Sequence, residues 1–339
     1  MRSLSLTFVI ALLVAANQIP AAEPARYEFE EPHMGTRFRI VLHAPDKDVA
    51  ITAATAAFKR VRELEAALSD YKPSSETMKL CAANDREPGK AFAIGDDLAA
   101  VLGHSLDVSK MSDGAFDVTV GPLSKLWREA RKANQLPAEA DRTAALGKVG
   151  WKNVELDRER KTVRLKLAGM RLDFGGIGKG YAADAALAVL KKHGCPRALI
   201  AAAGDITVGD APPDRDAWLV DIEPLGAGMP KKQVRLVNAS VSTSGDLYQF
   251  VEIGGTRYSH LLNPKTGLGL TGFIRAAVVA KRGWQADALT KAACLMPAEQ
   301  AVRLIDSLDG TAMHLATRAN ADAKEVVVQS KRFDGFVGK

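Results

Sequence analysis

The run "LDFGGIGKGYAAD", residues 172–184, gathers four glycines, Lys179 and two flanking aspartates, Asp173 and Asp184. Glycines let a backbone crowd a ligand, and free N–H groups at a helix start favour anions. Lys179 adds a positive charge, and Asp173 is placed to hold a metal or a ligand hydroxyl. The stretch therefore reads as an anion cradle. A tight turn capped by Asp173 explains the same residues equally well. Neither standard phosphate loop fits: a Walker loop would need glycine at Asp173 and Ser or Thr at Gly180. The dinucleotide pattern fails because Tyr181 stands where its third glycine belongs.

Three further stretches collect polar groups. "SDGAFDVTVGPLSKLW" (112–127) sets Asp117 and Thr119 beside small residues, in what reads as a turn leading into a strand. "VSTSGDLYQF" and "RYSHLLNPKTG" put Ser244, Gly245, Asp246 and His260 in polar loops between strands. "ADALTKAAC" puts Asp287 and Thr290 one helical turn apart, a spacing that lets both reach one ion or ligand. The six histidines include no HxxxH pair, which leaves a zinc site without support. Cys81, Cys195 and Cys294 include no CxxC pair and have small or apolar neighbours, as buried structural thiols do.

The elements that must position these groups follow from hydrophobic period. Phe38, Ile40 and Leu42 alternate, predicting a strand. Ile51, Ala54, Phe58, Val61, Leu64 and Leu68 recur at helical spacing, predicting an amphipathic helix. "SDYKPSSETMKL" reads as turn-rich, 96–111 as a helix and "RKANQLPAEADR" (131–142) as a polar surface connection. A strand with Val163, Leu165 and Leu167 feeds the glycine run as far as Phe174, and a helix follows from Gly180 to Lys192. Strand-like runs "RALIAA", "AWLVDIEP", "YQFVEI", "IRAAVVAK", "TAMHLAT" and "EVVVQS" then mix with helices at "WQADALTKAACLM" and 297–308. The mixture lacks strict βαβ alternation, which favours an α+β class over a doubly wound sheet.

The chain has 339 residues, 47% hydrophobic and 25% charged, enough apolar material for one large core. Its net charge of +6 is modest, and no basic run with interleaved aromatics points to nucleic acid. The first residues carry Arg2, an apolar stretch from about Leu4 to Ala16, and small residues at Ala21 and Ala22. That pattern predicts a signal peptide over 1–22, cleaved near Ala22, and an exported domain over 23–339.

Taken together the polar stretches resemble the FAD:protein FMN transferase family, called ApbE. The shared pieces run in order: "HMGTRF", "SDYKPSSETMKLCAAN", "DGAFDVTVGPLSKLW", "LDFGGIGKGYAAD", "AAGDITVGDAPP" with Trp218, "VSTSGD", "YSHLLNPKTG" and "ADALTKA". They cover about residues 30 to 330. The resemblance implies an exported or envelope protein that binds FAD with Mg2+, cleaves its diphosphate and attaches FMN to a Thr or Ser hydroxyl of an acceptor protein. Contact with a membrane is then peripheral at most. By the same resemblance Met34, Tyr71, Ala115, Phe116, Asp117, Asp173, Lys179 and Leu262 match FAD-contacting positions. Gly176 (through its carbonyl), Asp287 and Thr290 match metal-site positions, and His260 lies on the flavin phosphate side. Asp246 and His260 are both candidates for the base that takes the hydroxyl proton.

The chain departs from the family pattern at Lys291, which stands where a metal-site Thr is usual. An ammonium cannot ligate a cation. Either Thr290 supplies the oxygen while Lys291 turns to solvent or phosphate, or Lys291 itself takes the cation's place. Asn263 and Ala203 replace a usual Asp and Gly. The alternatives to a transferase are a flavin-binding protein of the same fold without transfer, and a pyrophosphatase releasing FMN and AMP.

Overall fold

A computed structural model describes residues 23–225, 231–245, 249–320 and 322–338. The expected signal segment 1–22 and the candidate base Asp246 lie outside the described residues. The chain opens on a hairpin of β1 (Ala25–His33) and β2 (Thr36–Ala44). The alternating Phe38, Ile40 and Leu42 are fully buried there. α1 (Lys47–Leu68) starts where the Asp46 carboxylate accepts the Val49 N–H at 2.8 Å, and it buries Ala50, Ala54, Phe58, Val61, Leu64 and Leu68 along one face. Then come α2 (Glu76–Arg86), β3 (Ala91–Ala93), α3 (Asp96–Met111), α4 (Gly121–Ala133), α5 (Glu139–Leu146), β4 (Val154–Asp157) and β5 (Thr162–Leu165).

The second half holds α6 (Gly178–Lys192), β6 (Ala198–Ala202), β7 (Asp205–Val208), β8 (Trp218–Ile222), β9 (Lys232–Leu236), β10 (Ala239–Gly245), β11 (Phe250–Ile253), β12 (Thr256–Leu262) and β13 (Gly269–Thr271). It closes with β14 (Phe273–Ala280), α7 (Gly283–Leu295), α8 (Ala298–Ser307), β15 (Ala312–Arg318) and β16 (Val326–Gln329). Eight strands form one sheet in the order β1-β2-β6-β7-β10-β14-β15-β16, and every neighbouring pair is antiparallel. α1, α6 and α7 cover one face, and the β8–β9 hairpin covers the other through Trp218, Val220, Val234 and Leu236. The expected α+β class is the architecture found.

Several local expectations change. "SDYKPSSETMKL" is a turn only as far as Ser75, whose hydroxyl accepts the Met78 N–H at 3.1 Å and starts α2. The polar stretch 131–142 contains the end of α4 and the start of α5; it is polar because both helices show that face to solvent. No strand follows the Asp117 turn: Val120 makes one isolated bridge to Arg171 and α4 begins at Gly121. Ser244, Gly245 and His260 sit on strands β10 and β12 rather than in loops. Cys81, Cys195 and Cys294 are buried thiols, as their neighbours suggested.

Two glycines set the spacing of the central helices. A Cβ on Gly180 would lie 2.1 Å from the Gly283 carbonyl oxygen, and one on Gly283 would lie 2.5 Å from that of Gly180. α6 and α7 therefore touch backbone to backbone, which only glycine permits at that distance.

Candidate functional site

The close approach of α6 and α7 brings Asp287 under the glycine run. Asp287 is fully buried, and its Oδ2 accepts the Gly180 N–H at 3.0 Å. Lys179 reaches Asp205 Oδ2 at 3.1 Å and Asp287 Oδ2 at 3.7 Å, and its ammonium donates to the Gly175 carbonyl at 3.1 Å. Lys291, one turn beyond Asp287 on α7, pairs with Asp287 Oδ1. Four charges thus alternate in a chain: Lys291, Asp287, Lys179, Asp205. Asp205 also accepts the Ser242 hydroxyl from β10.

Burial opposes the charges of Lys179 and Asp287, and their partners outweigh it. Burial alone would lower the Lys179 pKa, but Asp205 and Asp287 raise it. Burial alone would raise that of Asp287, but Lys179 and Lys291 lower it. Both groups are therefore ionised at neutral pH, the state in which a buried pair holds together.

The floor opens into a cleft of about 1190 Å³, larger than a typical drug-sized site and suited to a dinucleotide. Met34, Tyr71, Ala115, Phe116, Asp117, Asp173, Gly176, Lys179, His260, Leu262 and Lys291 line it together. Asp287 and Thr290 lie directly beneath, both fully buried. The Thr290 hydroxyl donates to the Asp287 carbonyl at 2.7 Å and bonds the Ser244 hydroxyl at 2.8 Å, so it faces the sheet. Residues spaced over 250 positions in sequence thus share one surface.

Each rim residue has a local cause. Met34 and Gly35 form a two-residue hairpin turn at φ 49° and 72°, placing Met34 in the left-handed region where a side chain is uncommon. Asp117 accepts the Thr119 N–H and hydroxyl at 2.8 and 2.6 Å and the Trp151 N–H at 2.9 Å. Burial raises its pKa while these bonds resist. Its carboxylate organises the 112–120 turn that presents Ala115 and Phe116. Tyr71 is exposed, with the Arg128 guanidinium 3.9 Å from its ring centre. Arg128 pairs with Asp70 and stands 3.7 Å from Asp173. Burial, then the Asp173 charge, raises the Asp70 pKa against that pairing.

His260 projects from β12 with Nδ1 3.2 Å from the Gln249 carbonyl. Burial lowers its pKa to about 4, helped by Lys291, Arg131 and Lys179. The imidazole is neutral at pH 7, and with Nδ1–H donating to Gln249, Nε2 keeps its lone pair.

The donor set does not fit Mg2+ at Asp287. A hard cation asks for about six oxygen ligands. Both Asp287 oxygens are already engaged by cationic or N–H donors, and the Thr290 hydroxyl, which donates to the Asp287 carbonyl, accepts from the Lys291 ammonium at 3.3 Å. A dication 4 Å from either ammonium would face roughly 8 kcal/mol of repulsion at an effective dielectric of about 20. Among the described residues no cluster of three or more His, Cys, Asp or Glu is arranged to hold a metal.

Asp205 lies within the motif piece "AAGDITVGDAPP", but the motif alone gave it no place in the cleft floor. Its signal was the two-residue turn "AG" before it, where Ala203 adopts φ 55° and delivers Asp205 to the head of β7. Asp184, which flanks the glycine run, does not face the cleft. Its carboxylate accepts the Gly283 and Trp284 N–H groups at 2.8 and 3.1 Å and caps α7. Burial raises its pKa to about 6 against those two bonds.

With this geometry in hand, comparison with known proteins is specific. The profile of the ApbE family matches residues 34–315. The chain is similar to the FAD:protein FMN transferase of Salmonella typhimurium, 27% identical over 286 residues and covering 81% of each chain. It is likewise similar to the FAD:protein FMN transferase of Treponema pallidum, 29% identical over 306 residues, covering 85% of this chain and 84% of that one. The apo crystal structure of the Pseudomonas stutzeri flavinyl transferase ApbE superimposes with a TM-score of 0.81 at 26% identity, over 94% of this chain and 98% of that one.

Proposed function

The chain belongs to the ApbE family, and from that membership and the charged floor of its cleft we infer that it is an FAD:protein FMN transferase. The observation that carries the reading is the alternating chain Lys291–Asp287–Lys179–Asp205 at the base of a dinucleotide-sized cleft. The four charges cancel one another, so the bare floor carries no net buried negative charge that would repel a diphosphate. Lys179 and Lys291 line the cleft and supply cationic N–H donors to phosphate oxygens, the stronger class of hydrogen bond.

In the reaction an acceptor-protein hydroxyl oxygen attacks the phosphorus on the flavin side of the FAD diphosphate. A new P–O bond to that oxygen forms as the bond to the AMP moiety breaks, and AMP leaves with the bridging oxygen. The hydroxyl proton goes to a base in the cleft. Neutral His260, with Nε2 as acceptor, supports that role in orienting the hydroxyl; Asp246 is the other candidate. Such transfer needs positioning and charge neutralisation above all. Lys179 and Lys291 neutralise, while Tyr71, Phe116, Met34 and Leu262 offer apolar surface to the flavin and adenine rings. Asp173 and the Ala115 backbone are placed beside the ligand's polar atoms. The acceptor side chain is Thr or Ser, by the family resemblance. Magnesium, which the resemblance leads one to expect, has no free oxygen donor at Asp287.

We further propose that the protein is exported, with residues 1–22 removed and 23–339 forming the mature enzyme, on the strength of Arg2, the apolar stretch and the Ala21–Ala22 exit. Among the described residues no helix is long and apolar enough to cross a membrane. Its partners are then FAD and an acceptor protein of the cell envelope.

The test incubates the mature protein with FAD and a threonine-bearing acceptor domain. Covalent flavin fluorescence on the denatured acceptor, with one AMP released per flavin attached, supports transfer. AMP release without labelling would turn the reading to a pyrophosphatase. FAD binding without either product would turn it to a flavin-binding protein.

A further inference from the structure

We propose that the ammonium of Lys291, seated against the buried Asp287, is the resident cation of the cleft floor, so that this chain holds the FAD diphosphate without a divalent metal at Asp287; the proposal rests on the FAD-binding reading above. Asp287 and Lys291 are four residues apart on α7, and that spacing puts both side chains on one face one turn apart. Their pairing is thus written into the helix. The lysine stem is also walled in. A Cβ at Gly176 would lie 3.4 Å from Lys291 Cγ and 3.1 Å from Phe116 Cε2, so the absence of a side chain at Gly176 makes room for the stem. Only 12% of the Lys291 side chain is exposed, which argues against a head group free in solvent.

The side-chain oxygens that a metal would use are committed. Asp287 Oδ2 accepts the Gly180 N–H and faces Lys179, and the Thr290 hydroxyl donates to the Asp287 carbonyl, bonds Ser244 and accepts from the Lys291 ammonium at 3.3 Å. Gly180 cannot move away, because it is locked against Gly283. Lys291 therefore stands where a cation would otherwise balance Asp287, its ammonium donating to Asp287 and Thr290 while the residue lines the cleft. One tethered charge replaces a diffusible one. Two lysines, Lys179 and Lys291, flank the single carboxylate and present the positive side of the floor to phosphate.

The experiment uses the mature chain and its Lys291→Thr variant, each dialysed against EDTA and then measured with EDTA or millimolar MgCl2. Thermal unfolding without FAD is the first readout. The wild-type melting temperature is expected to be the same in both buffers, whereas the variant, with an oxygen where the ammonium was, is expected to gain stability with magnesium. Calorimetric titration with FAD is the second. Wild-type affinity is expected to agree within about twofold between buffers, and the variant is expected to lose tenfold or more in EDTA and to recover with magnesium. A wild-type melting temperature or FAD affinity that rises with magnesium and falls with EDTA would overturn the proposal. So would a variant that binds FAD in EDTA as well as the wild type. If Lys291→Thr does not fold, the wild-type arms alone decide. If the wild type binds no FAD in either buffer, the transferase reading fails, while the unfolding arm still decides the metal question by its own result.

Discussion

The floor and the rim of the cleft meet the same electrostatic problem with different means. At the floor, Asp205 and Asp287 are each answered by a lysine, and the group is buried against the sheet. At the rim, Asp70 and Asp173 share one guanidinium, that of Arg128, which also lies over the exposed ring of Tyr71. The floor charges hang from β7 and from α6 and α7, the two helices held backbone to backbone at Gly180 and Gly283. The rim carboxylates Asp70 and Asp173 hang from segments between elements and are answered by Arg128 from α4. A floor with two largely buried lysines suits the diphosphate, and a rim with an exposed aromatic ring suits the ligand's rings and the incoming acceptor.

The difference is most open to attack at Asp287. Asp287→Ala leaves the Lys291 ammonium without its carboxylate, orphans the Gly180 N–H and takes one of two carboxylates from Lys179, and breaking a buried ion pair in this way costs about 3–5 kcal/mol. Urea unfolding should show that loss. Asp173→Ala, at the rim, should cost about 1 kcal/mol or less, because its ion pair is partly exposed and its bond to the Gly175 N–H is local. Equal losses at the two positions would erase the distinction between floor and rim.

Gly180→Ala sharpens the claim that backbone contact sets the floor. The added Cβ would sit 2.1 Å from the Gly283 oxygen, so α6 and α7 must separate, and overpacking of this kind costs about 1–3 kcal/mol. FAD affinity should fall with stability, because Asp287 and Lys179 move apart. A variant with wild-type stability would show that the helices have slack.

The smallest effect concerns His260. Its folded pKa of about 4 lies below the free-imidazole value of 6.5. It therefore contributes stability that is present above about pH 6.5 and is lost as pH falls through about 4. The stability gap between wild type and His260→Asn should be flat from pH 7 to 8 and should shift only below that window. Transfer activity should follow the same acid limb. A gap that changes between pH 7 and 8 would mean that the imidazole is not held neutral.

Much of this was legible in the sequence because it rests on period and chain order. The strand at Phe38–Leu42, the helix ending at Leu68 and the helix carrying Asp287 follow from apolar spacing alone. The cleft residues were legible through eight collinear motifs. What escaped depended on contacts distant in sequence. The glycine run reads as a phosphate cradle, yet Gly180 is required by a helix over 100 residues away, which no local pattern encodes. α2 escaped because the Lys72–Ser75 turn cluster masks a helix that begins one residue later. Asp205 escaped because its importance comes from Lys179 on another element. Lys291 was recognised as a departure, but its pairing with Asp287 rather than solvent needed the walled position beside Gly176.

The central claim is that the floor lysines bind the diphosphate of FAD, and calorimetry on wild type and Lys179→Met tests it most directly. The account predicts that wild type binds FAD far more tightly than riboflavin, which lacks phosphate. It predicts that Lys179→Met loses about 10- to 100-fold toward FAD, the worth of a charge-assisted hydrogen bond, while its weak riboflavin binding stays unchanged. Equal affinity of the wild type for FAD and riboflavin, or unaltered FAD binding by Lys179→Met, would contradict it.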